Sequence, residues 1–131
     1  MADLSGFRGA FEGKDLDSLM SYFATDAVIH SPFTTEPIKG KEAVRMVLGI
    51  ILETLHDVEY IDQLGGADGS AALVVKAKVL ESDIEVIDLI RFDSLDLIDD
   101  FTVFVRPRPA GEVLFGQVVS RISKGLAAAE A

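Results

Sequence analysis

The chain has 131 residues, 49% of them hydrophobic, with 22 acidic against 12 basic side chains for a formal charge of −10. That length supports one domain, residues 1–131, around one core, and the acidic balance opposes binding to phosphate backbones or anionic lipid, so neither nucleic acid nor a membrane is an expected partner. The lack of cysteine excludes disulfide scaffolds, thiolate catalysis and cysteine-ligated zinc, while no secretory leader opens the chain and its longest apolar stretch, residues 46–52, is far short of the ~20 residues of a membrane span, so a soluble cytoplasmic protein is expected.

In chain order, Leu4, Phe7 and Phe11 recur at helical spacing behind Asp3, a candidate N-cap, and Gly13 ends that helix. Asp15 caps a second short helix with the stripe Leu16, Leu19, Met20, Phe23. Residues 26–32 read as a strand. Gly40 precedes the longest helix, which gathers Val44, Val47, Leu48, Ile51 and Leu55 on one face. The period then changes to two. Val58, Tyr60 and Leu64 alternate with Glu59 and Gln63, the glycine-rich residues 65–69 turn the chain, and residues 71–80 run back. Tight connections at residues 81–83 and 93–96 lead into strands over 84–92 and 97–106, which completes an antiparallel meander. Pro107 and Pro109 stop the sheet. Phe115, Val118, Val119, Ile122 and Leu126 mark a C-terminal helix, beyond which residues 127–131 are expected to fray. The predicted fold is α+β: helices over one face of a curved, mostly antiparallel sheet, with room for an apolar cavity beneath the long helix.

Within the strand over 84–92, alternation places Asp88 on the apolar face with Ile84, Val86, Ile90 and Phe92, while Glu85 and Arg91 share the other. A carboxylate buried there must either accept hydrogen bonds or hold a proton near neutral pH. The first outcome makes Asp88 a structural network residue and the second makes it a proton donor.

The segments Lys14-Asp15-Leu16-Asp17-Ser18-Leu19, Tyr22-Phe23-Ala24-Thr25-Asp26-Ala27-Val28, Ser31-Pro32-Phe33, Ile38-Lys39-Gly40-Lys41-Glu42-Ala43 and Ile87-Asp88-Leu89-Ile90-Arg91-Phe92-Asp93 stand in an order that resembles the nuclear-transport-factor-2-like superfamily, in particular its SnoaL-like and ketosteroid-isomerase-like branch. The resemblance extends to Arg106. It implies a cone-shaped half-barrel, a homodimer, and a pocket opening between sheet and helices. The fold hosts isomerases, cyclases, epoxide hydrolases, dehydratases and non-catalytic modules, so the residues must decide. Ketosteroid isomerases use an aspartate base, with a tyrosine and a protonated aspartate donating to the oxyanion. By resemblance Asp88 takes the place of the protonated aspartate, but Phe7 stands at the tyrosine position and Ser31 at the base position. Phenylalanine cannot donate a hydrogen bond, and an unactivated serine is no substitute for a carboxylate base, which argues against steroid isomerisation by that mechanism.

His30 neighbours Ser31 but alternates to the opposite face, so it reaches a pocket only if the strand bulges or ends there. His56, read as the end of the long helix, suits a structural contact with the last carbonyls. Tyr22 can pack its ring while its hydroxyl reaches a pocket mouth. Asp93, Asp96, Asp99 and Asp100 lack the spacing of a calcium loop and read as a solvated turn. Lys76 and Lys78 face outward. No motif supports a metal or nucleotide cofactor. The reading is a protein that binds a small apolar molecule, with Asp88 as the catalytic candidate. Phe7, Tyr22, His30, Ser31, Phe33, Val44, Leu48, Ile51, Val86, Ile90, Phe101 and Val103 are the ligand-binding candidates. If it is an enzyme, proton transfer on a carbonyl compound fits Asp88. The rival is a non-catalytic dimerisation or protein-interaction module whose cone is filled by its own side chains.

Overall fold

The computed structural model describes residues 3–130, with side chains described as far as Lys124. Helix α1 (Ser5–Glu12) buries Phe7, Ala10 and Phe11. Asp3 lies just before the cap position, and its carboxylate accepts the Ser5 N–H at 2.9 Å. In α2 (Leu16–Met20), Asp15 is the N-cap and accepts from the Ser18 N–H at 3.2 Å and the Ser18 hydroxyl at 2.7 Å. This helix stops short of Phe23, which instead opens strand β1 (Phe23–His30). The strand expected over 26–32 thus starts earlier and ends at His30. A two-residue edge strand β2 (Ile38–Lys39) follows.

Gly40, at φ 94° where a side chain would be strained, turns the chain into α3 (Lys41–Thr54). Leu55 does not extend this helix but begins strand β3 (Leu55–Gly65). Strands β4 (Ala71–Val79), β5 (Ser82–Phe92) and β6 (Ile98–Arg106) complete the meander, and α4 (Arg108–Glu130) crosses back over it. Pro109 fits the first turn of α4, where its missing N–H has no intrahelical acceptor in any case. Of the tail expected to fray, the backbone is helical to Glu130; its side chains and Ala131 lie outside the described residues.

The sheet order is β2-β1-β6-β5-β4-β3, a curved and unclosed six-stranded sheet in an α+β domain. The meander is antiparallel, whereas β1 runs parallel to β6 through Ile29↔Phe101 and His30↔Thr102. Two rows of side chains across the inner face position the site. One contains Leu73, Asp88 and Val103; the next contains Tyr60, Val75, Val86 and Val105. Helices α1 to α3 cover this face, and Phe7, Phe23 and Phe101 pack together with ring centroids 5.8–6.2 Å apart. The second bulge of β3, between Tyr60 and Asp62, shifts its alternation by one residue. Leu64, expected to share an inner face with Tyr60, is consequently exposed.

The outer face is built from paired charges. Lys78 meets Asp83 at 3.0 Å, Arg106 meets Glu85 at 3.0 Å, and Arg91 meets Asp68 at 2.7 Å. Between these charges Ile87 and Phe104 lie opposite each other, exposed.

Candidate functional site

A cavity of about 80 Å³ lies between the inner face of the sheet, α3 and α4. Its floor is Val75, Val86, Asp88, Phe101, Val103 and Val105, one wall is Val47, Leu48 and Ile51 of α3, and Leu114 and Val118 of α4 close the roof. Phe11, Ile29 and Leu55 seal the interior, and the segment Ser31, Pro32 and Phe33 forms the rim. The roof is pinned by Phe33 against Phe115, with centroids 5.1 Å apart.

Asp88 is the one ionisable group on this wall. It is 7% exposed and makes no hydrogen bond to a described residue, so burial acts alone and pushes its pKa up to about 7. The network in which Asp88 would accept bonds from neighbouring strands is therefore not formed. The other buried polar residue, Thr54, gives its hydroxyl hydrogen to the Ile50 carbonyl at 2.6 Å. A carboxyl that titrates near neutrality can present either a proton or a lone pair to a bound molecule.

Of the residues expected at the site, Ser31, Phe33, Leu48, Ile51, Val86, Phe101 and Val103 line the cavity with Asp88. The Ser31 hydroxyl oxygen accepts the Phe33 N–H at 3.1 Å, which ties it to the rim turn. Five others do not line it. Phe7 lies one helical turn before Phe11 and is spent in the aromatic core. Val44 lies one turn before Leu48 and Ile90 one row beyond Asp88; both are sealed within the core. Tyr22 stands edge-on to Phe7 at 6.1 Å, with its hydroxyl against Gly6, where even a Cβ would collide. His30 remains on the outer face, its Nε2 3.0 Å from Asp100. The strand ends immediately after it, and Ser31 faces the cavity on the same side as Ile29, as alternation dictates.

His56 belongs to β3 rather than to a helix end, and its ring N–H donates to the Leu80 carbonyl at 2.8 Å. The acidic residues after β5 form a turn in which Asp93 accepts the Leu95 and Leu97 N–H groups at 2.8 and 3.0 Å. Among the described residues no cluster of histidine and carboxylate groups is arranged to hold a metal, and no helix is long and apolar enough to cross a membrane.

Sequence reasoning missed Phe11, Val47, Val75, Val105 and the α4 roof, all of which lie on stripes visible in the sequence. It also passed over Tyr60. The Tyr60 ring is edge-on to Phe11 at 6.4 Å and lies beneath the Arg8 guanidinium, 4.9 Å from the ring centre. Its hydroxyl is buried and has no hydrogen-bond partner among the described residues. Burial, followed by the charge of Asp88, pushes the phenol well above its usual range.

Among solved structures, a steroid delta-isomerase from Pseudomonas aeruginosa is 36% identical over 95% of this chain and 91% of that one, with a TM-score of 0.89. An uncharacterised cystatin-like-fold protein from Silicibacter pomeroyi is 24% identical over 92% and 89%, at 0.81. SalBIII, an epoxide hydrolase/cyclase-like enzyme of pyran ring formation in salinomycin, is 24% identical over 76% and 84%, at 0.63. No curated protein matches. The SnoaL-like domain family matches residues 5–98, and with the fold and cavity described above the chain belongs to that family.

Proposed function

We propose that this protein binds a small apolar molecule bearing a carbonyl-type oxygen, with its hydrocarbon against the aliphatic wall and its oxygen at Asp88. The observation that carries the reading is the unpaired Asp88 carboxyl, raised to about 7 on a wall otherwise made of hydrocarbon and one rim hydroxyl. A neutral carboxyl donates to a carbonyl oxygen, and a group poised near ambient pH is suited to moving a proton on such a compound. The similarity to a steroid delta-isomerase supports an apolar ligand. Phe7 and Ser31, which supply neither the hydrogen-bond donor nor the base of ketosteroid isomerases, argue for different chemistry.

Size narrows the ligand. Apolar cavities of about 150 Å³ accept benzene and drug-sized ligands need roughly 300 Å³ or more. At about 80 Å³, the cavity as it stands is smaller than one that holds benzene, and a ring-sized ligand requires α4 to move outward. The reading includes a homodimer through the outer sheet face, supported by the exposed Ile87 and Phe104 between rows of charge of both signs. Thermal-shift and NMR titration with cyclic ketones and hydrocarbons of the same shape tests the binding reading. Ketones bound more tightly than their hydrocarbon counterparts are expected, and a cavity that admits neither would overturn it.

A further inference from the structure

The inner face of the sheet holds two polar groups without protein partners, Asp88 on β5 and the hydroxyl of Tyr60 on β3. The two residues lie two strands and one inward-facing row apart, a backbone span of roughly 12 Å on a flat sheet and less between inward side chains on a curved one. Arg8, stacked on the Tyr60 ring, also reaches Gln63 at 3.5 Å, and Gln63 pairs with Leu73, which in turn pairs with Asp88. A phenylalanine at position 60 would make the same contacts with Phe11 and Arg8. The hydroxyl therefore adds nothing to packing, and burying it without a partner is unfavourable.

We propose that Tyr60 is a positioning residue for Asp88: its side chain shifts to bring the hydroxyl within hydrogen-bond reach of the Asp88 carboxylate whenever that group is ionised, and relaxes back when it is neutral. This deepens the ligand-binding reading and rests on it for its purpose, since it makes Asp88 able to give up and regain a proton inside an apolar cavity. Tyr60 acts from behind the Phe11 side of the wall and does not itself line the cavity. After burial, the charge of Asp88 is the largest influence on the phenol, ahead of Glu12 and Arg8. Among the described residues no other ionisable group faces Asp88: β4 presents Leu73 and Val75, β6 presents Val103 and Val105, α3 presents Leu48 and Ile51, and α4 presents Leu114 and Val118. Arg8 and Glu12 of α1 act on the far side of the tyrosine.

The test is carboxyl-carbon NMR titration of Asp88 in the wild-type protein and in Tyr60→Phe, which retains the ring and removes only the hydroxyl. Loss of a donor to the ionised form should lower the ionised-to-neutral ratio of Asp88 roughly tenfold at fixed pH. An unchanged Asp88 titration would overturn the pairing and leave Tyr60 as a packing residue. A second measurement needs no variant at Tyr60: the phenol Cζ resonance of the wild type should follow the Asp88 midpoint between pH 5 and 9, and the same resonance in Asp88→Asn should stay flat. A wild-type Cζ resonance that ignores this pH range would also overturn the pairing. Cyclohexanone added to the same samples separates the two claims. If it binds while the titrations show no coupling, the pairing fails and the ligand reading stands; if the coupling is present and cyclohexanone does not bind, the pairing stands and the ligand reading fails.

Discussion

Strand β5 places carboxylates on both faces of one sheet, and the two faces treat them oppositely. Glu85 on the outside is half exposed and paired with Arg106 at 3.0 Å, while Asp88, three residues along, is buried and unpaired. Water and a mobile counter-charge make the outer carboxylate inexpensive and nearly interchangeable with its neighbours. Without either, the inner one responds by holding its proton. A fold seeking only stability would place an aliphatic residue between Leu73 and Val103, and this asymmetry is what supports the proposed role of Asp88.

The largest expected effect lies on the inner face. In the unfolded chain an aspartate releases its proton near pH 4, whereas folded Asp88 keeps it up to about 7. Folding therefore takes up a proton between these values, and stability falls as pH rises through that window and levels off above it. Urea denaturation from pH 4 to 8 should show the wild type losing roughly 4 kcal/mol relative to Asp88→Asn, which does not titrate. Parallel curves for the two proteins would remove the contrast between the faces.

A second break concerns the apolar strip of the outer face. Phe104→Asp should weaken the proposed dimer about a hundredfold, read by sedimentation across micromolar concentrations, with the monomer fold retained. A wild type that sediments as a monomer at those concentrations would show that the strip has no such use. Third, cyclohexanone should bind the wild type about tenfold less tightly at pH 9 than at pH 5, where Asp88 carries a proton to donate, and Asp88→Asn should bind it equally at both. The smallest effect belongs to the outer carboxylate. Glu85→Gln should cost no more than about 1 kcal/mol, and the difference should shrink in high salt because the Arg106 pair is solvent-screened.

The inward direction of Asp88 was legible because a strand of period two with four apolar neighbours leaves no other assignment. The order of helices and meander was legible for the same reason, and the SnoaL-like resemblance followed from it. Depth was not. Phe7 and Val44 share helical faces with the cavity residues Phe11 and Leu48, and one turn decides between core and wall, which periodicity does not encode. The bulges of β3 moved Leu64 outward without a local sequence mark, and the parallel pairing of β1 with β6 joins segments some seventy residues apart, as in His30 and Asp100. Tyr60 was on the correct face in the sequence. Its unpartnered hydroxyl became visible only once α1 was packed over it.

Asp88 is proposed as a neutralisable carboxyl in an apolar cavity, and its own titration decides the matter. With the aspartate carboxyl carbons labelled and assigned through Asp88→Asn, the midpoint of Asp88 is expected near 7. A midpoint at or below about 4, the value of a free aspartate, would mean that the ionised carboxylate is stabilised as well as it is in water, and would contradict the proposed role.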